Sequence, residues 1–271
     1  MAIGVLGITS GAVMFFHGEM GQAINLLLVM CVLVLLHGVV RWWTDMIFES
    51  TYKGQYTSLV IFNIRWGFKL FVVSEAFFFA SFFWAWFYAG IGEASVGDSL
   101  GTWPPIGVKA IYPWRVPFLN LILLVTSGAF SQSSKWIIKS HGKEKDIKKS
   151  RFYQLYGLFL LSVAMILGVL FVYVQGQEYY TCSFTIADGV FGCSFFLLTG
   201  FHGMHVMAGL AFLLVCWFRI LLHHFSYRHS CVGLVNAVYY WHFVDIVWIL
   251  LFAGVYVWPH KLLTGTFFPT Y

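Results

Sequence analysis

Charge is what this sequence lacks. Of its 271 residues only 10% are Asp, Glu, Lys or Arg, while 60% are apolar and 20% aromatic. A soluble domain carries about 25% charged and 45–50% apolar residues. Sixteen basic and eleven acidic side chains cannot clothe a soluble surface of this size. Disordered chains, secreted scaffolds and free cytosolic enzymes are thereby excluded. Cysteine is sparse too: Cys31, Cys182, Cys193, Cys216 and Cys231 form no Cys-x-x-Cys pair. At least three fall inside apolar runs, as small core residues do. No basic segment precedes the apolar first residues, so a cleavable leader is not expected. The net charge of +5 comes without a basic, aromatic-interleaved module, so nucleic acid is not an expected partner.

What is present is a series of long apolar runs. A membrane-spanning helix needs about 20 mostly apolar residues. Seven runs qualify or come close: 2–16, 23–40, 66–89, 116–138, 152–174, 186–222 and 232–258. The first two are short and joined by a tight polar turn over 17–22. Pro117 suits a first helical turn, and Pro259 is expected to close the last run. Residues 91–117, with Gly92, Gly97, Gly101, Gly107 and four prolines, read as an ordered loop. Residues 139–151 read as a charged linker, and 175–185 as a connection carrying Glu178. The expected fold is all-α and polytopic, with seven transmembrane helices.

Basic residues orient the runs. Thirteen of the sixteen Lys and Arg fall on one side if seven spans are threaded with the N-terminus inside. Six or eight spans would scramble that sorting. Trp42, Trp43, Trp66, Trp103, Trp114 and Trp258 lie near predicted span ends, where an aromatic belt belongs.

A few polar groups fall inside the runs. Glu75 stands ten residues into the third, where a carboxylate costs roughly 2.5–3.5 kcal/mol on insertion scales. Two readings stay open: a proton-exchanging or ligand-facing acid, or a hydrogen bond to Ser74, Ser81 or a neighbouring helix. His202 and His205, three apart, share a helix face. They could hold a metal or haem, but no acid or cysteine adjoins them. Interhelical hydrogen bonds are the preferred reading, with Gly200 and Gly203 admitting a neighbouring backbone. His242 and Asp245 are also three apart, and His242 lies at a depth similar to Glu75. Arg219, His223, His224 and Arg228 form a basic cluster suited to a lipid phosphate or to an ordinary inner flank.

These residues resemble subunit III of the haem–copper cytochrome c oxidases. The resemblance runs through Trp42-Trp43 with Asp45, Glu49-Ser50-Thr51, Ser74-Glu75, Phe82-Phe83-Trp84-Ala85 and Trp103-Pro104-Pro105. It continues through Glu178-Tyr179-Tyr180, Asp188-Gly189-Val190, Thr199-Gly200-Phe201-His202-Gly203 with His205, and Tyr240-Trp241-His242-Phe243-Val244-Asp245. It implies a non-redox core subunit of a proton-pumping oxidase, supporting assembly, lipid binding and sustained proton uptake. No cofactor is implied on this chain; haem a and copper belong to partner subunits. The implied partners are subunit I as main contact, subunit II, accessory subunits and phospholipids. The implied arrangement is a 2 + 5 V-shaped bundle: helices 1–2 over 1–40, an inner loop over 41–65, and helices 3–7 with a C-terminal extension over 66–271. The compact form implies the mitochondrial inner membrane, N-terminus to the matrix and C-terminus to the intermembrane side; a bacterial plasma membrane is the alternative.

On the same resemblance Glu75 is the buried-acid or proton-uptake candidate. His202, His205, His242 and Asp245 form a candidate polar network, and Trp42, Trp43, Glu49, Arg219 and His224 are lipid-binding candidates. The chain departs from the family at Thr44 and Phe48, where basic residues are usual. Two other functions compete: a stand-alone transporter using Glu75, disfavoured by the absence of visible repeats, and a di-iron or haem enzyme, disfavoured by the scatter of His17, His37, His141 and His260.

Overall fold

The computed structural model describes residues 1–18, 21–91, 103–141, 144, 146–225 and 231–265, with the backbone alone at Phe16. Gly92, Gly97, Gly101, Lys143, Lys145, Arg228 and the end of the C-terminal extension, 266–271, lie outside these. The described residues form α1 (Ala2–Phe16), α2 (Gln22–Thr51), α3 (Ser58–Ile91), α4 (Val116–His141), α5 (Ile147–Thr181), α6 (Gly189–Leu221) and α7 (Val232–Leu251). A π-helical turn, Phe252–Val257, then leads into α8 (Trp258–Thr264). Among the described residues six helical stretches are long and apolar enough to span a membrane, the last running Val232–Thr264. At 15 residues α1 is about 22 Å long, short of a ~30 Å core.

The helices outrun their apolar runs. α2 continues through 41–51 and α3 starts at Ser58, so only 52–57 connect them, in place of an inner loop over 41–65. Apolar runs end where the bilayer ends, whereas helices end where backbone hydrogen bonding fails. Trp42, Trp43 and Trp66 therefore sit inside helices. The last helix likewise does not close at Pro259. The π turn shifts the hydrogen-bond register just upstream, and Pro259 falls in the first turn of α8, where a missing N–H does no harm. The turn also offers the Gly254 carbonyl to Trp86 Nε1–H on α3, at 3.0 Å.

Two compact units share the chain, Met1–Leu59 and Val60–Tyr271. In the first, α1 lies against α2 through Gly4, Gly7 and Gly11, spaced three and four apart. A Cβ on Gly4 would meet the Cys31 carbonyl and the Leu35 amide nitrogen at 3.0 Å. Small residues let membrane helices approach and gain dispersion contacts. Gly4→Ala is expected to cost about 1–3 kcal/mol, because backbone atoms cannot yield as a side chain can. A lowered unfolding midpoint in detergent checks it; an unchanged one refutes close packing at Gly4.

In the second unit buried residues repeat every 3.5 positions. On α4 they are Asn120, Leu124, Ser127, Ser131, Ser134, Ile138 and His141. On α5 they are Gln154, Gly157, Leu161, Ala164, Gly168, Phe171, Gln175 and Glu178. On α6 the same spacing runs from Gly192 to Ile220. This is knobs-into-holes spacing. Between α4 and α5 the seam is small and polar: Ser127 Oγ donates to the Ala164 carbonyl and Ser134 Oγ to the Gly157 carbonyl, both at 2.7 Å. α7 is buried on most of its circumference and forms the centre of this unit. α3 joins it through rings: Phe68 to Phe212 and Tyr239, Phe78 and Phe82 to Phe201, and Phe79 to Phe243.

Trp241 pins four helices. Its indole is fully buried on α7, and Cβ atoms on Gly168 (α5) or Gly209 (α6) would come within 2.9 Å of it. Its Nε1–H donates to Ser127 Oγ on α4 at 3.0 Å.

Candidate functional site

Glu75 meets His205. Glu75 Oε2 lies 2.8 Å from His205 Nε2, joining α3 to α6. The side chains are 24% and 14% exposed, half-sealed by Phe78, Phe79 and Tyr240. His205 Nδ1 lies 2.7 Å from the Phe201 carbonyl. A carbonyl only accepts, so Nδ1 carries a hydrogen. Nε2 and Glu75 therefore share one proton, either as acid with neutral imidazole or as carboxylate with imidazolium. Both forms are neutral overall, which lowers the cost of a carboxyl group at this depth.

His202 turns elsewhere. Its Nε2–H donates to the Val244 carbonyl on α7 at 3.1 Å, and its ring packs between Phe171 and Trp248. The two histidines thus serve different helices. Gly200 and Gly203 do not admit a neighbouring backbone as expected: a Cβ there would meet nothing within 4 Å. They line an open, mostly apolar groove of about 200 Å³ with Gly176 and Met204. The close approaches are made at Gly168 and Gly209 instead, on the face turned to α7.

A second acid–histidine pair lies in α7. His242 Nδ1 is 3.2 Å from Asp245 Oδ2, and His242 Nε2 is 3.2 Å from Gln132 Oε1 on α4. Lys135 Nζ also donates to that Gln132 oxygen. The chain Lys135–Gln132–His242–Asp245 thus leads from the more exposed His242 to a nearly buried carboxylate. Gly128 makes room for it: a Cβ there would collide with Asp245 Oδ2.

Sequence reasoning missed a third polar cluster. Glu178 was expected in a connection, but α5 continues to Thr181 and buries it. Tyr256 O–H donates to Glu178 Oε1 at 2.7 Å, Gln175 Nε2 to Tyr256 Oη at 3.3 Å, and Asn120 Nδ2 to Gln175 Oε1 at 3.0 Å. The 3.5-residue repeat of α5, extended two steps past Phe171, reaches Gln175 and then Glu178; that was the available signal.

The lipid-binding candidates scatter. On α2, Trp42 and Trp43 are exposed and Glu49 is half-buried. Thr44 Oγ1 donates to the Val40 carbonyl, and Lys53 Nζ sits 5.3 Å from the Phe48 ring centroid, bringing a cation beside a position that lacks one. Arg219 is buried, its guanidinium 4.6 Å from the Phe225 ring centroid. Burial, and then the Arg219 charge, hold the His224 imidazole below its ordinary pKa.

Among the described residues no group of three or more His, Cys, Asp or Glu is placed to hold a metal ion. The five cysteines are free, two of them buried.

Long apolar helices and a small-residue seam define an all-helical polytopic membrane protein. The profile of the family "Cytochrome c oxidase subunit III" matches residues 1–260. The chain is 40% identical over 258 residues to cytochrome c oxidase subunit 3 of Arabidopsis thaliana, covering 95% of this chain and 91% of that one. It is 42% identical over 259 residues to that of Equus caballus, covering 95% and 92%. For Prototheca wickerhamii the identity is 40% over 251 residues, covering 92% and 89%. The chain belongs to the cytochrome c oxidase subunit III family, and so is one subunit of an oxidase that contains others.

Proposed function

We propose that this chain is a non-redox core subunit that supports assembly of the oxidase, binds phospholipid and sustains proton uptake by subunit I while oxygen is reduced to water. Haem a and copper reside on partner subunits; subunit I is the main contact, with subunit II and accessory chains beyond it. The membrane is the mitochondrial inner membrane, N-terminus to the matrix. The one-sided distribution of Lys and Arg supports that orientation. The observation that supports the proton role is the Glu75–His205 contact, which sets a carboxyl oxygen 2.8 Å from an imidazole nitrogen within two apolar helices. His202, His242 and Asp245 form the surrounding polar network, and Trp42, Trp43, Glu49, Arg219 and His224 are the headgroup-side candidates.

Glu75→Gln tests this without breaking the contact. The amide N–H donates to His205 Nε2, so α3 and α6 stay joined, but no proton can be passed. Assembly, read as haem a content, should be unchanged. Turnover should slow and the lifetime before inactivation should shorten severalfold. Glu75→Ala should do the same with some loss of assembly. Wild-type turnover and lifetime in an assembled Glu75→Gln oxidase would leave Glu75 a purely structural residue.

A further inference from the structure

A cavity of about 250 Å³ opens at the end of the bundle where α4 begins and α5 ends. Lys109, Arg115 and Glu178 all line it. Of the three Lys and Arg on the basic-poor side of the sequence (the third is Lys261), two therefore converge on one cavity. Among the described residues Glu178 makes no ion pair with either. An acidic side chain and two basic ones facing one cavity and held apart fit a ligand that carries both an anion and a hydrogen-bond donor.

The two poles differ in what they lack. Glu178 is 5% exposed; Oε1 accepts from Tyr256, while Oε2 is buried with no hydrogen-bond partner. A carboxylate oxygen accepts only, so Oε2 calls for an N–H or O–H donor. Lys109 and Arg115 call for an anion, and a guanidinium suits the paired oxygens of a phosphate. The cationic wall is set in place: Arg115 lies 5.8 Å from the Tyr112 ring centroid, and Ser183 Oγ donates to the Lys109 carbonyl at 3.3 Å. The cavity sits at the end of two spans, at headgroup depth. Val116, Leu119 and Ile122 continue from it down the exposed side of α4, a track for acyl chains.

We propose that this cavity binds the headgroup of phosphatidylethanolamine, with its phosphate on Lys109 and Arg115 and its primary ammonium on Glu178. The site lies at the end of the bundle away from Arg219 and His224. The chemistry sets a selectivity. Phosphatidylcholine presents a trimethylammonium with no N–H for Oε2, and phosphatidylglycerol presents no cation.

Native mass spectrometry of the intact oxidase, delipidated and then given each lipid in mixed micelles, tests the assignment. Wild type should retain one more phosphatidylethanolamine than the Lys109→Gln/Arg115→Gln double variant, whose affinity at this site should fall about tenfold or more, in line with loss of charge-assisted hydrogen bonds. Glu178→Gln should still bind but lose the preference for phosphatidylethanolamine over phosphatidylcholine. Lys261→Gln, at the same end but outside the lining, should retain the lipid. If the double variant fails to assemble, Lys109→Gln alone should show the same direction of loss. Equal lipid retention by wild type and the cationic variants, or equal affinity of wild type for the three lipids at this site, overturns the proposal. Displacement by soluble phosphoethanolamine at matched concentration overturns the lipid as the source of the headgroup.

Discussion

Replacing Trp241 with alanine is expected to destabilise the chain by about 3–5 kcal/mol, the range for deleting a large buried aromatic. The indole fills the gap that Gly168 and Gly209 leave open, and its N–H is the donor to Ser127 Oγ. Removing it opens a cavity against three helices at once. It also strips a donor from Ser127, which still donates to the Ala164 carbonyl. Trp241→Phe should fall between, restoring most of the ring but no hydrogen bond. Unfolding of the purified oxidase in mixed micelles, followed through this subunit's dissociation, reads both. Wild-type stability of Trp241→Ala would show that the four helices are held elsewhere.

Gly128→Ala is the second large effect, expected at about 2–6 kcal/mol. A methyl group there collides with Asp245 Oδ2, so the carboxylate has to move. Overpacking accounts for about 1–3 kcal/mol. A nearly buried carboxyl pulled off His242 adds about 1–3 kcal/mol for the unmade hydrogen bond. The diagnostic measurement is the double variant Gly128→Ala/Asp245→Ala. Removing the carboxylate makes room for the methyl, so the double variant should be more stable than the sum of the two singles. Strict additivity would mean that Gly128 and Asp245 do not touch.

Much of the fold is legible in the amino-acid sequence. The bilayer imposes one length scale and one rule of backbone satisfaction, so the apolar runs locate every span. Helix ends are less legible, because α2 and α3 extend past the apolar limits on backbone hydrogen bonding alone. Pro259 misleads for a similar reason: the π turn that accommodates it has no sequence signature of its own. At the site, Glu75 and His205 are each visible as polar groups at membrane depth. Their pairing is not, since it depends on how α3 is set against α6. Glu178 is hidden by its nearness to a span end, where an acid normally faces water. Gly200 and Gly203 are conspicuous, while Gly168 and Gly209 do the close packing; composition cannot tell an outward glycine from an inward one.

The repeat that runs unbroken along α4, α5 and α6 has a consequence for how this chain can change length. A strict seven-residue spacing over several turns winds helices into a left-handed supercoil. Each seam position is then fixed in phase by all the others. Adding or deleting one residue within 154–178 of α5 would turn everything beyond it by about 100°. Glycines and serines would swing out and large side chains would swing into the space they kept. Substitutions in these helices are local injuries, whereas insertions are global ones. Changes of length are therefore confined to the connections and the ends of the chain.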